Sequence, residues 1–260
     1  MTTYDSFDAI DGLTRQAIVD LLFRLADDEL LTGYRGSEWA GLAPIVEGES
    51  AFESVAQAEI SHARIYYALL CELGQGEVPS LMFSRDPRRY RCSSLATLPT
   101  GDWCFNVMRQ FLHDVSENVR LAALSKSSLA PLARTAEKIH VDEKEHMDHG
   151  RSWVSRIGKS TDKNRRCLQD ALYELYPHAL GLFEPTEADE ILAKDGISPS
   201  EEQCRREWES AVWPVLTHAG LEVDEAVQPI HGGRGGRHPE PFTQLIRKMQ
   251  DEYKVDAATK

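Results

Sequence analysis

Residues 51–70 read AFESVAQAEISHARIYYALL, and two patterns are superimposed in them. Phe52, Val55, Tyr66 and Leu69 recur at the spacing of one helical face. Glu59 and His62 fall on that same face, where apolar residues belong, and three positions apart they stand one turn from each other. A second stretch repeats the arrangement: Glu143 and His146 continue the stripe of Ala136, Ile139, Gly150 and Trp153. Glu-x-x-His is short and arises by chance, so position decides. A third copy, Glu137 and His140, shares its face with Lys144, Met147 and Arg151 and is expected to be solvated.

Working outward, Leu13 to Leu31 carries Ile18, Leu22 and Leu25 on one face and is expected to end at the turn Thr32 to Gly36. The helix holding Glu59 runs from Glu49 to Leu73 and stops at Gly74. A third opens at the N-cap candidate Asp102 and passes through Cys104, Val107, Phe111 and Leu121. The fourth spans Ala130 to Ile157. Between the second and third lies a long connection, Gln75 to Thr100, with Pro79, Pro87, Pro99 and the basic residues Arg85, Arg88, Arg89 and Arg91. Further helices are expected over Asp162–Leu182, Thr186–Lys194, Ser200–Ala219 and Pro239–Tyr253, with a glycine-rich run, Gly232 to His238, before the last. Nothing shows the period-two alternation of strands. Four helices with one long crossover match an all-α, ferritin-like four-helix bundle. Residues 1–158 are expected to form a di-metal bundle core, and 159–260 to add helices that pack on it and serve assembly within one continuous domain.

The first and third helices each place a carboxylate on the buried stripe: Glu29 after Ile18, Leu22 and Leu25, and Asp114 after Cys104, Val107 and Phe111. Asp28 is the alternative to Glu29, and Glu117, one turn on, the alternative to Asp114. Four inward carboxylates cannot all stay ionised in a core, because each desolvated charge costs several kcal/mol. Cations or protons must neutralise them. One carboxylate from each of two helices plus Glu-x-x-His from each of the others is the donor set of carboxylate-bridged di-iron and di-manganese proteins. Mixed imidazole and carboxylate donors suit iron, with manganese the alternative. The expected metal ligands are therefore Glu29, Glu59, His62, Asp114, Glu143 and His146, with Glu59 and Glu143 as bridges. Asp142 is an expected acceptor for the free ring N–H of a ligating histidine.

The chain has 260 residues, with 29 Lys+Arg against 42 Asp+Glu and a formal charge of −13, which disfavours nucleic acid and anionic membranes as partners. Its longest apolar runs, such as Ile65 to Cys71, are far short of a membrane span, and the first residues, MTTYDSFDAID, are acidic. A cytoplasmic protein is expected. Five cysteines, odd in number and without a CxxC pair, argue against a disulfide framework, a zinc ribbon or an iron–sulfur site and fit a reducing compartment. The arginines from Arg85 to Arg91 have two readings, contacts to phosphates or an acidic partner, and a solvated loop paired with Asp86. Arg234 and Arg237 lie in a run read as flexible backbone at a subunit interface. Tyr66 is read as core.

Several segments together resemble the PaaC family, the second ferritin-like subunits of the multicomponent phenylacetyl-CoA 1,2-epoxidase, over nearly the whole chain. They are Arg24-Leu25-Ala26-Asp27, the stretch Ser37 to Pro44, Phe83-Ser84-Arg85-Asp86, Gly150-Arg151-Ser152-Trp153, and the run Gly232 to His238 followed by Met249-Gln250. The resemblance implies a role in aerobic phenylacetate degradation and a hetero-oligomer with a PaaA-like catalytic subunit that holds the working di-iron centre and the CoA thioester. A flavin/iron–sulfur reductase would serve the complex, and a homodimer is a further expectation. Some members of the family have lost metal ligands, whereas all six positions here are ligand-capable. Two roles follow: an architectural subunit with a structural metal, or an oxygenase in its own right that delivers oxygen to an aromatic ring. An iron-storage role is weaker, because storage bundles need little beyond four helices.

Overall fold

The computed structural model describes residues 3–10, 12–39 and 46–258. Among these residues the regular elements are ten α-helices and short 3-10 turns, with a single isolated bridge between Tyr4 and Leu129. The chain is all-α, as its periodicity requires. Helices α1 (Gly12–Ser37) and α2 (Val46–Glu72) form one closely packed pair. Short helices α3 (Val78–Phe83) and α4 (Ser94–Thr97) lie in the crossover, followed by the second pair, α5 (Trp103–Leu124) and α6 (Ala130–Gly158). Then α7 (Asp162–Leu180) and α9 (Glu201–His218) pack on α5 and α6, α8 (Glu187–Lys194) packs on α1, and α10 (Glu240–Ala258) on the crossover.

Local chemistry sets several of these boundaries. Asp102 caps α5 by accepting from the Phe105 N–H at 2.9 Å, and Ser200 caps α9 through the Gln203 N–H at 3.2 Å. Pro79 and Pro87 sit in the first turns of α3 and a 3-10 turn, where a missing N–H costs nothing, so prolines that punctuate the crossover start helices in it. The expected turn at Thr32 to Gly36 is not one: α1 runs on to Ser37. A Cβ on Gly33 would stand 2.8 Å from both the Ala56 carbonyl oxygen and Ile60 Cγ1, so this glycine serves close helix packing rather than chain reversal. Part of the stretch Ser37 to Pro44 lies outside the described residues.

Two apolar clusters flank the bundle. One gathers Ile18, Leu22, Leu30, Tyr66, Leu70 and Phe242, and the other Phe111, Val154, Leu172, Trp208 and Leu216. Buried ion pairs hold the added helices to the bundle. Arg120 of α5 grips Glu201 at the start of α9 through both nitrogens at 2.8 Å, and Arg24 of α1 reaches Glu201 at 3.3 Å and Asp189 of α8 at 2.8 Å. Cys104 and Cys167 form a disulfide between α5 and α7, contrary to the expectation of unpaired cysteines. Their Cα atoms are 6.0 Å apart only once these helices pack, 63 residues apart in sequence. No helix among the described residues is long and apolar enough to cross a membrane.

Candidate metal centre

The helical period brings Glu29 of α1, Glu59 and His62 of α2, Asp114 of α5, and Glu143 and His146 of α6 to one level of the bundle interior. Glu29, Glu59 and Glu143 are completely buried, and Asp114 and His62 nearly so. His62 Nδ1 lies 3.0 Å from Glu143 Oε1, 3.6 Å from Glu59 Oε2 and 3.9 Å from Glu29 Oε2. His146 Nδ1 lies 3.3 Å from Glu143 Oε1 and 3.8 Å from Glu59 Oε1. Glu59 and Glu143 thus stand between the two imidazoles, the placement a bridging carboxylate needs. Donor atoms of Glu29, Glu59, His62 and Glu143 all lie within 4.8 Å of one another, as do those of Glu59, His113 and Asp114. Ligands bound to one ion at about 2.0–2.2 Å are no more than about 4.4 Å apart even when opposite each other. Each group is compact enough to close on a cation.

The hydrogen-bond inventory points the same way. Both oxygens of Glu29 and of Glu143, Glu59 Oε2, Asp114 Oδ2, Glu117 Oε2 and Nδ1 of His62 and His146 are buried without an aligned hydrogen bond. The short His62–Glu143 approach is therefore a charge contact. A buried polar atom left unsatisfied costs about 1–3 kcal/mol, and a charged one more. So dense a cluster of orphaned acceptors and imidazole nitrogens, all hard or borderline donors, fits iron or manganese.

Burial and mutual charge shift the protonation of these groups. Burial, then the Glu59 and Glu143 carboxylates, raise Glu29 well above the usual carboxylate range. Burial and the charges of Glu59 and Glu143 do the same to Asp114. Burial also opposes ionisation of Glu59, but Glu29, His62 and the charges of His146 and His113 outweigh it and hold Glu59 low. Burial disfavours the charged imidazoles, yet Glu143 and Glu59 overcome it and lift His62 to about 10 and His146 to about 9.

Around the donors stands a set of orienting groups. His62 Nε2 lies 3.3 Å from Asp142 Oδ2, where a histidine fixed by its other nitrogen wants an acceptor. Gln110 Nε2 donates to Glu59 Oε1 at 3.2 Å and also to Asp114 Oδ1, pinning carboxylates of two helices. A Cβ on Gly150 would lie 3.2 Å from Phe111 Cα, so glycine lets α6 close on α5 beside Asp114. An apolar pocket of about 10 Å³ is walled by Phe52, Val55, Val107 and Trp153 and is also lined by Gln110 and Asp114.

Of the alternatives left open by sequence, Asp28 is turned away, accepting from the Ser93 N–H at 2.6 Å and paired with Arg234 at 2.7 Å. Glu117 is buried beside the cluster, pushed up to about 7 by burial against the opposing effects of His113 and Arg120. Glu137 is exposed and His140 half-buried, away from the site. Sequence reasoning missed His113 and Gln110. Their signal is the spacing of Gln110, His113, Asp114 and Glu117, which puts four polar side chains on one face of the helix. Tyr66 is core as read, but its orphaned hydroxyl is raised by burial and then by the charges of Glu29, Glu117 and Glu143.

Two expectations about arginines need correction. Arg85 is neither solvated nor available to phosphate: it is buried against Asp27 and the Tyr67 hydroxyl, 4.0 Å over the Tyr90 ring, while Arg88 and Arg89 are exposed and Arg88 pairs with Asp86. The glycine-rich run is packed rather than flexible. A Cβ on Gly233 or Gly236 would fall 2.2 and 2.1 Å from the carbonyl oxygens of Cys92 and Arg88, and Gly236 has φ 76°. The run is laid directly on the crossover, and Arg234 passes inward to Asp28.

Residues 1–259 match the profile of the family described as Phenylacetic acid catabolic protein. The chain is 28% identical over 228 residues to the C component of the 1,2-phenylacetyl-CoA epoxidase of Escherichia coli (strain K12), covering 87% of this chain and 92% of that protein. It is 23% identical over 186 residues to the A component of the same epoxidase, covering 72% of this chain and 60% of that one.

Proposed function

The chain belongs to the phenylacetic acid catabolic protein family, and from that premise we propose that it is a subunit of a multicomponent phenylacetyl-CoA epoxidase that carries a dinuclear iron centre between α1, α2, α5 and α6. Similarity to the C component along nearly all of both chains supports membership of the complex, and similarity to the A component supports a PaaA-like partner in a hetero-oligomer. A flavin/iron–sulfur reductase would feed the assembly, which acts in the cytoplasm on phenylacetyl-CoA; manganese is the alternative metal.

One observation carries the metal reading: buried carboxylates and imidazoles from four helices converge with their donor atoms unsatisfied. Glu29, Glu59, His62, Asp114, Glu143 and His146 would hold the ions, with Glu59 and Glu143 bridging. Ferrous ions held there would supply reducing equivalents for dioxygen chemistry. The protein contributes the rest. Glu59 and Glu143 balance charge, Asp142 and Gln110 fix the orientation of His62, Glu59 and Asp114, and the two apolar clusters exclude water.

Metal analysis of reconstituted protein tests this reading. Wild type is expected to retain about two iron or manganese ions per chain, and Glu59→Ala and His146→Ala to lose at least one of them. Equal, near-zero content in all three would overturn it.

A further inference from the structure

Helix α5 turns more polar groups into the bundle than the six-residue set uses. Gln110, His113, Asp114 and Glu117 stand at positions that share one side of a helix. His113 is 1% exposed, and neither of its ring nitrogens has a hydrogen-bond partner. A neutral imidazole has one donor and one acceptor to satisfy. Other histidines find partners: His149 accepts from the Trp153 N–H at 2.9 Å, His178 meets Ser94 Oγ at 3.1 Å, and His238 meets the Tyr90 carbonyl at 3.0 Å. His113 instead sits with an idle ring among carboxylates whose oxygens are also idle.

Its position makes sense of that. Donor atoms of His113, Asp114 and Glu59 lie within 4.8 Å of one another. Glu59 also belongs to the separate group with Glu29, His62 and Glu143. Glu59 is thus common to two compact donor sets. Successive helix positions diverge by about 100°, so His113 and Asp114 approach such an ion from two directions rather than competing for one.

We propose that His113 is an additional ligand of the dinuclear centre, on the ion held by Asp114, so that α5 supplies two adjacent donors and Glu59 spans both metal positions. This rests on the dinuclear reading above. It makes the centre a three-histidine site and distinguishes its two positions: one is built on Glu29 and His62, the other on His113 and Asp114, with His146 approaching the bridges from α6.

Stepwise titration of the metal-free chain with Co2+, followed by visible absorption and calorimetry, tests the assignment in wild type, His113→Leu and His113→Gln. Wild type is expected to bind two equivalents. Each variant should bind the first with unchanged affinity and the second at least about tenfold more weakly, the loss that even an orienting neighbour of a metal site produces. The metal-free variants should stay folded and melt close to wild type, because leucine or glutamine replaces a ring with no hydrogen bonds to lose. Two equivalents bound with wild-type affinities by both variants would overturn the proposal while leaving the dinuclear reading intact. Loss of both equivalents together with a lowered melting temperature in both would assign His113 a structural role instead and also overturn it. No Co2+ bound by wild type would remove both readings at once.

Discussion

Glu117, His146 and His62 hold protons in the metal-free chain far above their ordinary pH, at about 7, 9 and 10. A group whose folded pKa is raised stabilises the fold below its unfolded value and loses that contribution as pH climbs to the folded one. For Glu117 the window runs from 4.5 to about 7, and for His146 from 6.5 to about 9. All these windows have the same sign, so the metal-free fold weakens as pH rises. Metal ions need the deprotonated donors, and their binding therefore releases protons and strengthens over the same range. The melting-temperature gap between Mn2+-loaded and metal-free protein should accordingly widen steadily from pH 5 to pH 9; a gap independent of pH would contradict this. Among these residues the two Glu-x-x-His pairs were legible in the sequence, because they interrupt apolar stripes at helical period. His113 was not, since it precedes Asp114 by one position and falls off the strict alternation of three and four that selected the carboxylates.

Helices α1 and α2 show how packing tunes the site from outside it. Gly33 is four residues beyond Glu29, and a Cβ there would also stand 3.0 Å from Glu59 Cβ. Gly33→Ala must spread the two helices at the level of the metals, at a cost of about 1–3 kcal/mol for overpacking. It should weaken metal binding as well as lower stability, whereas Gly12→Ala, with nothing within 4 Å of the new Cβ, should do neither. The comparison is read by calorimetric metal titration and thermal melts. Farther off, Glu201 is held by Arg120 and Arg24 with all three side chains buried. Burial raises its pKa, but the arginine charges outweigh that and hold it below the ordinary carboxylate value. The sign is opposite to that at the metal site: this contribution is present above about pH 4.5 and is lost as pH falls through the depressed value. Glu201→Gln should cost about 3–5 kcal/mol at neutral pH by leaving two buried cations under-compensated, and its stability should fall less steeply than wild type in acid. Urea unfolding at pH 7 and pH 4 checks both. Helix existence and caps were readable one element at a time, as Asp102 and Ser200 show. Gly33 was misread because a glycine demanded by a neighbouring helix looks, in one sequence, like a glycine demanded by a turn.

At the scale of the whole molecule, what the sequence concealed is what distant segments do to each other. Cys104 meets Cys167, Arg24 and Arg120 meet Glu201, and Arg234 crosses under the glycine run to Asp28. None of these pairings leaves a periodic trace. Together they clamp the second half of the chain onto a bundle whose interior is ionic, and they bear on which of the two roles the centre plays. Beside Asp114 lies an apolar pocket of about 10 Å³, the room of roughly one water molecule, whereas a cavity that admits benzene measures about 150 Å³. A phenyl ring carried on a CoA thioester does not fit there. We take the bracing role as the reading to test, with ring oxidation on the PaaA-like partner. In a reconstituted complex of partner, reductase and phenylacetyl-CoA, Glu59→Ala in this chain alone should lower the complex's melting temperature, yet the assembled fraction should still form epoxide at a rate within about twofold of wild type, a barrier change of under about 0.5 kcal/mol. Loss of turnover in complexes that remain fully assembled, measured by product formation on gel-filtered material, would instead place the oxidation at this centre.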